Sequence, residues 1–318
     1  MLKDIGLLLG GLVVLIAGGE FLIRGAVSIA LRLKISPLVV GLTVVAFGTS
    51  APELFISVQS ALTGSPDLAM GNVVGSNICN LALVLGLTAF ITPVPVQKDS
   101  IRIDWPVAMG SSLLLFVLVQ ENVLGRLEGV LFISILVGYT YFVIQKSRKE
   151  TKAQQSQADD LDLPSKPTAS VWQDVAFLVI GTVGLAIGSN WFVMGAKTLA
   201  IALGVSERVV GITIVALGTS LPELVTAVVA AFRKETDIAL GNLVGSNIFN
   251  ILSILGITSI IQEIRINDVI IRSDMIWMLL VTFVVFPMML SRRKIDKLEG
   301  FILLAIYVYY IYSVVDIV

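Results

Sequence analysis

Residues 48–54, Gly-Thr-Ser-Ala-Pro-Glu-Leu, and residues 218–224, Gly-Thr-Ser-Leu-Pro-Glu-Leu, each place a carboxylate and two hydroxyls inside an apolar run. Proline lacks a backbone donor and its ring clashes with the preceding helical turn. The residue before it is pushed away from helical torsions, and the glycine supplies freedom to unwind. A helix interrupted over residues 48–52, and again over 218–222, is the expected result. In hydrocarbon, freed carbonyls are costly unless something satisfies them. A cation can do so, and so can the hydroxyls of Thr49, Ser50, Thr219 and Ser220, with Glu53 and Glu223 starting the next half-helices. A rival reading is a capping box, because Ser50 to Glu53 and Ser220 to Glu223 both fit Ser-x-x-Glu with Pro near the helix start. Each glutamate, however, lies more than ten residues into an apolar span, where a carboxylate is expensive and marks a functional site.

A second pair of segments accompanies the first: Gly-Asn-Val-Val-Gly-Ser-Asn-Ile-Cys-Asn at 71–80 and Gly-Asn-Leu-Val-Gly-Ser-Asn-Ile-Phe-Asn at 241–250. Small residues on one face permit close helix contact, which accounts for the glycines. Packing does not account for Asn72, Asn77, Asn80 and their counterparts, which add amides to a buried surface. Ser76 and Asn80 lie four residues apart and project on one side of a helix, as do Ser246 and Asn250. Carboxylates, hydroxyls, amide oxygens and carbonyls together form an oxygen-only donor set, suited to hard cations such as Ca2+ or Na+. The chain has no histidine and one cysteine, Cys79. An internal disulfide framework is therefore excluded, and nothing points to a zinc or copper centre.

The elements that carry these residues are membrane spans. The chain of 318 residues is 56% hydrophobic and 14% charged, against about 25% charged in soluble domains. Apolar runs of spanning length fall near residues 5–29, 37–62, 68–93, 104–120 and 127–145, then near 172–196, 207–231, 238–262, 272–291 and 297–316. The first run is longer than the apolar core of a signal peptide and is followed by further spans, so it is expected to be retained. Shifting the chain by 170 residues superposes the motifs, and 28 of 53 positions from Val39 to Ile91 match without a gap. Apolar bias cannot align Pro, Glu, Asp, Asn and several Gly, so the match is an internal duplication. Five spans per copy is an odd number, so the second copy enters the membrane from the opposite face. The expected fold is an all-α membrane protein of ten transmembrane helices in two inverted five-helix repeats, residues 1–146 and 171–318. Inverted repeats with interrupted helices at equivalent places are the signature of secondary transporters, with the site at the repeat interface.

Between the repeats, residues 147–170 are polar and free of aromatics apart from their flanks, and are expected to form a mobile loop. Orientation follows from the basic residues. The loops after the odd-numbered spans hold 16 of the 22 Lys and Arg, which places both termini outside and the 147–170 loop in the cytoplasm. A net charge of −1 gives no reason to expect a nucleic-acid partner, and no obligate protein partner is indicated.

At its paired motifs the sequence resembles the calcium/cation antiporter superfamily, in its prokaryotic sodium/calcium exchanger-like branch. That resemblance implies a monomeric, non-enzymatic antiporter of the cell membrane that exchanges Ca2+ for Na+ by alternating access and needs no cofactor. Carried onto matching positions, it implies Glu53 and Glu223 as the shared carboxylates. Thr49, Ser50, Thr219 and Ser220, with the carbonyls of Ala46 and Ala216, would add oxygens. Ser76 and Ser246 would complete outer sodium sites, with Asn80 and Asn250 near the centre. Two departures refine it. Proton-coupled relatives carry an acidic residue where Gly75 and Gly245 stand here, which disfavours the alternative of Ca2+/H+ exchange. Potassium-dependent relatives carry Asp at the position of Asn250. A channel is a further alternative, but channels gather carboxylates as rings from identical subunits, whereas here one chain closes its own site. No nucleophile–base pair is visible, which speaks against an intramembrane enzyme, and no phosphate-binding loop of the GxxxxGK[ST] type appears, which argues against an ATP-driven pump.

Overall fold

The structure is a computed structural model that describes residues 2–157, 170–204 and 216–317. Ten spans are numbered here in chain order. Spans 1, 3, 4 and 5 are the helices Leu2–Leu33, Pro66–Ile91, Ser100–Leu118 and Arg126–Gln157. Their counterparts, spans 6, 8, 9 and 10, are Val171–Ala202, Thr236–Ile261, Ile270–Leu290 and Lys297–Ile317. Span 2 is broken into Pro37–Thr49 and Ala51–Leu62, which meet at 45°. Span 7 is described from Ala216 and breaks likewise, into Ala216–Thr219 and Leu221–Phe232. The chain is thus a polytopic membrane protein of two inverted five-helix repeats.

The helix of span 5 runs past the apolar stretch that ends near residue 145. Span 5 continues as helix to Gln157, because residues 145–157 are rich in Lys, Arg and Gln, all good helix formers. Lys146 and Glu150 also sit one turn apart, 3.5 Å between charges. The rest of the expected mobile loop, residues 158–169, lies outside the described residues.

Spans 1 and 6 pack antiparallel along glycines repeated every seven residues: Gly11, Gly18 and Gly25 on one helix, Gly181, Gly188 and Gly195 on the other. Each set is the other displaced by 170 residues. A Cβ on Gly18 would lie 2.8 Å from Leu185 N, and one on Gly181 would lie 2.6 Å from Leu22 N. The two backbones therefore touch, and no larger side chain fits between them. At about 1.5 Å per residue each 32-residue helix is about 48 Å long. That exceeds the hydrocarbon thickness of about 30 Å, so both must tilt or protrude. Arg32 closes the end of the seam with a 2.8 Å ion pair to the buried Asp174.

Two short antiparallel ladders qualify the all-helical expectation. Strand β1 (Val94–Pro95) pairs with β4 (Lys294–Ile295), and β2 (Val123–Leu124) pairs with β3 (Ile264–Arg265). Each clips a loop of one repeat to a loop of the other. At two residues apiece they carry no sequence periodicity.

The helices also contain π-helical turns, in which one extra residue widens the ladder. Cys79–Val84 in span 3 matches Asn250–Leu255 in span 8, and Ser100–Asp104 in span 4 matches Ile270–Asp274 in span 9. Such turns concentrate at functional sites. The first pair begins within one residue of Asn80 and Asn250.

The seam makes a prediction. Gly18→Val should lower the thermal unfolding midpoint in detergent, reflecting overpacking of about 1–3 kcal/mol or more. Gly10→Ala, whose Cβ meets nothing within 4 Å, should leave the midpoint unchanged.

Candidate cation-binding site

Both breaks are confined to one residue. Ser50 has φ −86° and ψ 4°, and Ser220 has φ −89° and ψ 3°. The expected interruption over residues 48–52 is therefore narrower than the motif, and Ala51 opens the next helix rather than leaving helical space. Proline explains this. In the first turn of a helix its missing N–H has no partner to lose, so the kink moves to the serine before that helix.

Neither serine caps its helix through its side chain, so the capping box does not form. The Ser50 hydroxyl instead donates to Glu223 Oε1 at 3.1 Å, across 173 residues of sequence. Ser246 lies 3.4 Å from the same oxygen. The Thr49 hydroxyl reaches Asn242 Oδ1 at 3.1 Å and Ser246 Oγ at 3.4 Å. The break in span 2 is thus fastened to spans 7 and 8, and the two repeats meet at their carboxylates. At the other break, Ser189 of span 6 donates to the Gly218 carbonyl. One backbone oxygen freed by the break is thereby satisfied inside the bundle.

Glu53 and Glu223 are each 1% exposed. Among the described residues, neither Glu53 oxygen has a hydrogen-bond partner, nor does Glu223 Oε2. Asn80 and Asn250 are fully buried, and Oδ1 of each is likewise unpartnered. Five acceptor oxygens therefore lie buried without a donor, where a donor or cation is ordinarily required. No Lys or Arg is near enough to either glutamate to form an ion pair among the described residues. This is the arrangement that a hard cation satisfies, by replacing its hydration shell with protein oxygens.

The remaining expected residues divide. Ser76, Ser220 and Ser246 are buried. The Ala46 carbonyl accepts from Ser50 N at 3.0 Å and from Thr49 Oγ1 at 3.3 Å, so in this conformation it is occupied by protein donors. Ala216 begins the short helix before the second break, and its side chain lies outside the described residues. Thr219 borders two cavities. One, about 240 Å³, is lined by Pro52, Ile56, Ser189 and Asn190 among others. The other, about 190 Å³, is lined by Asn72, Ser76, Tyr307 and Tyr310 among others. The symmetry is broken here. Thr49, Asn242 and Ser246 are bonded together, whereas their mates Thr219, Asn72 and Ser76 border a cavity.

Three residues bonded beside the candidate site were not among the expected ligands: Asn242, which accepts from Thr49, and the pair Asn77 and Asn247. All three recur in both copies of the repeat, and that recurrence was the available signal.

Comparison with known proteins identifies the family and the fold. A family model described as "Sodium/calcium exchanger protein" matches residues 3–145 and 174–315. A putative antiporter, CaxA, of Alkalimonas amylolytica is 37% identical over 305 residues, covering 95% of both chains. The sodium/calcium exchanger MaX1 of Methanosarcina acetivorans is 30% identical, again covering 95% of both chains. Among solved structures, the sodium-calcium exchanger NCX_Mj superposes with a TM-score of 0.82 at 31% identity, covering 98% of this chain and 99% of that one.

The uncapped serines permit a direct test. A lost N-cap costs about 0.5–2 kcal/mol. Since Ser220 makes no cap bond, Ser220→Ala should change unfolding stability by less than about 0.5 kcal/mol, measured in detergent without added calcium.

Proposed function

Because the chain belongs to the sodium/calcium exchanger family, we propose that Glu53 and Glu223 form one central site that serves Ca2+ and Na+ in turn. The protein is a secondary antiporter that exchanges these two ions across a membrane by alternating access. The observation that supports the site assignment is the set of five buried oxygens without donors among the described residues, three from the first repeat (both Glu53 oxygens and Asn80 Oδ1) and two from the second (Glu223 Oε2 and Asn250 Oδ1). Ser50 and Ser246 orient Glu223. Thr49, Thr219, Ser220, Ser76, Asn80 and Asn250 supply further oxygens as ions move through, and the Ala46 and Ala216 carbonyls join when the local bonds rearrange.

Charge sets the exchange. One Ca2+ neutralises two carboxylates, whereas two Na+ do the same and a third leaves the site at +1. Exchange of three Na+ for one Ca2+ moves one net charge per cycle, worth about 2.3 kcal/mol per 100 mV. Ions of either kind discharge the carboxylates, so the loaded site can cross between its two access states, while the empty one carries two unpaired buried charges. Obligatory exchange follows from that penalty.

The basic loops place the N-terminus outside and residues 147–170 in the cytoplasm of the cell membrane. In that orientation the cavity beside Asn72 and Ser76 faces outward, and the bonded cluster of Thr49, Asn242 and Ser246 closes the inner side.

In proteoliposomes loaded with sodium, wild-type protein should take up calcium against a sodium-free bath. Glu53→Gln and Glu223→Gln should each abolish that uptake while the protein still elutes as a folded species. The amide keeps the shape of the side chain but removes one of two charges facing a divalent ion in low dielectric. Uptake that follows a pH gradient and ignores sodium would instead assign proton exchange, and downhill leak without any counter-ion would mark a channel. Near-wild-type flux in both variants would remove the carboxylates from the site.

Topology has its own check. A cysteine introduced as Asp160→Cys should react with an impermeant maleimide only in inside-out vesicles. The native Cys79 is buried and should stay silent in both orientations.

A further inference from the structure

Spans 3 and 8 cross at four asparagines: Asn77 and Asn247 bond each other reciprocally to make a symmetric ring, and Asn250 and Asn80 are each attached to one of them. Asn77 Nδ2 donates to the backbone carbonyl of Asn247 at 3.3 Å, and Asn247 Nδ2 donates to the carbonyl of Asn77 at 3.1 Å. Asn77 Oδ1 accepts from Asn250 Nδ2 at 3.0 Å, and Asn247 Oδ1 accepts from Asn80 Nδ2 at 3.1 Å. All four side chains are at most 4% exposed.

The direction of every bond in the ring follows from its two backbone carbonyls. A carbonyl can only accept, so the NH2 end of Asn77 must face the Asn247 carbonyl. Its oxygen end then faces Asn250, which must answer with its own NH2. The oxygen of Asn250 is left pointing the other way, and it is one of the unpartnered acceptors. The same sequence of constraints runs from the Asn77 carbonyl through Asn247 to Asn80, whose Oδ1 is also unpartnered. An asparagine amide has two ends of nearly equal shape and opposite polarity. A cation site tolerates only one of them.

We propose that Asn77 and Asn247 are positioning residues that turn the amide oxygens, rather than the NH2 groups, of Asn250 and Asn80 toward the transported cation. Each acts on the amide of the opposite repeat, so the ring couples ligand orientation to the crossing of spans 3 and 8. This rests on the reading above that Asn80 and Asn250 contribute to the ion site.

The test exploits the difference between an amide and a carboxylate, since Asp offers oxygen at both ends and needs no orienting partner. Sodium-driven calcium uptake is measured in proteoliposomes for N77A, N250D and the double variant, as a function of calcium concentration. N77A should raise the half-maximal calcium concentration about tenfold, equivalent to about 1.4 kcal/mol, with little change in maximal rate. In the N250D background the same N77A change should raise it less than twofold. The mirror set, N247A with N80D, should behave alike and serves if N77A is poorly recovered from the membrane. An equal penalty from N77A in both backgrounds would overturn the positioning role, as would an unchanged half-maximal concentration. Loss of both alanine variants from the membrane, with neither restored by its aspartate partner, would likewise overturn it and mark the ring as packing alone. Failure of the underlying site reading looks different: N250D by itself would then leave the sodium and calcium dependence unaltered.

Discussion

Two carboxylates buried in a bilayer, with no basic residue paired to them among the described residues, are the constraint from which the rest of the architecture follows. Removing an ion from water costs several kcal/mol even after relaxation, and a charged residue at mid-membrane is costly on every scale. Glu53 and Glu223 are each 1% exposed, and three of their four oxygens have no donor among the described residues. A lysine or arginine beside them would have cancelled that cost permanently. On the function proposed above, leaving the charge uncancelled leaves its neutralisation to the transported ions.

Holding acceptors unpaired is easier where neighbouring donors are engaged elsewhere, and several of them are, although Ser220 Oγ, Thr226 Oγ1 and Asn242 Nδ2 are themselves buried without a partner among the described residues. The hydroxyls of Thr49 and Ser50 are committed to cross-repeat bonds. Ser189 takes the Gly218 carbonyl, and the amide groups of Asn80 and Asn250 are held by Asn247 and Asn77. Breaking each helix at a single serine keeps the number of freed backbone groups small, which matters where no water can answer them. The π-helical turns beginning at Cys79 and Asn250 relax the helix ladder beside the same ligands.

Duplication and inversion give two equivalent ways of arranging the same parts, one opening to each side of the membrane. In this structure the two halves are arranged differently in detail. The cluster of Thr49, Asn242 and Ser246 is bonded shut, while the corresponding Thr219, Asn72 and Ser76 border a cavity. Exchange between the two arrangements needs a scaffold that does not itself rearrange. The glycine seam of spans 1 and 6 and the loop ladders between repeats provide close, directional contacts of that kind.

Much of this was legible in the residues alone. Apolar runs and a 170-residue repeat with an odd number of spans are properties of the chain itself, so the ten spans, the inversion and the paired glutamates could be read from it. The proline and glycine also announced a break, because their effects on the backbone are local. What the sequence left open was every choice between a near and a distant partner. Ser50 fits a cap on its own helix as well as it fits a bond to Glu223, and only the packing of span 2 against span 7 decided for the latter. The occupied Ala46 carbonyl, the helix that runs on to Gln157 and the two-residue ladders were missed because single weak preferences set them. The orientation of an asparagine amide has no trace in sequence at all. It is fixed by a carbonyl 170 residues away, and that carbonyl becomes a neighbour only once two antiparallel spans cross.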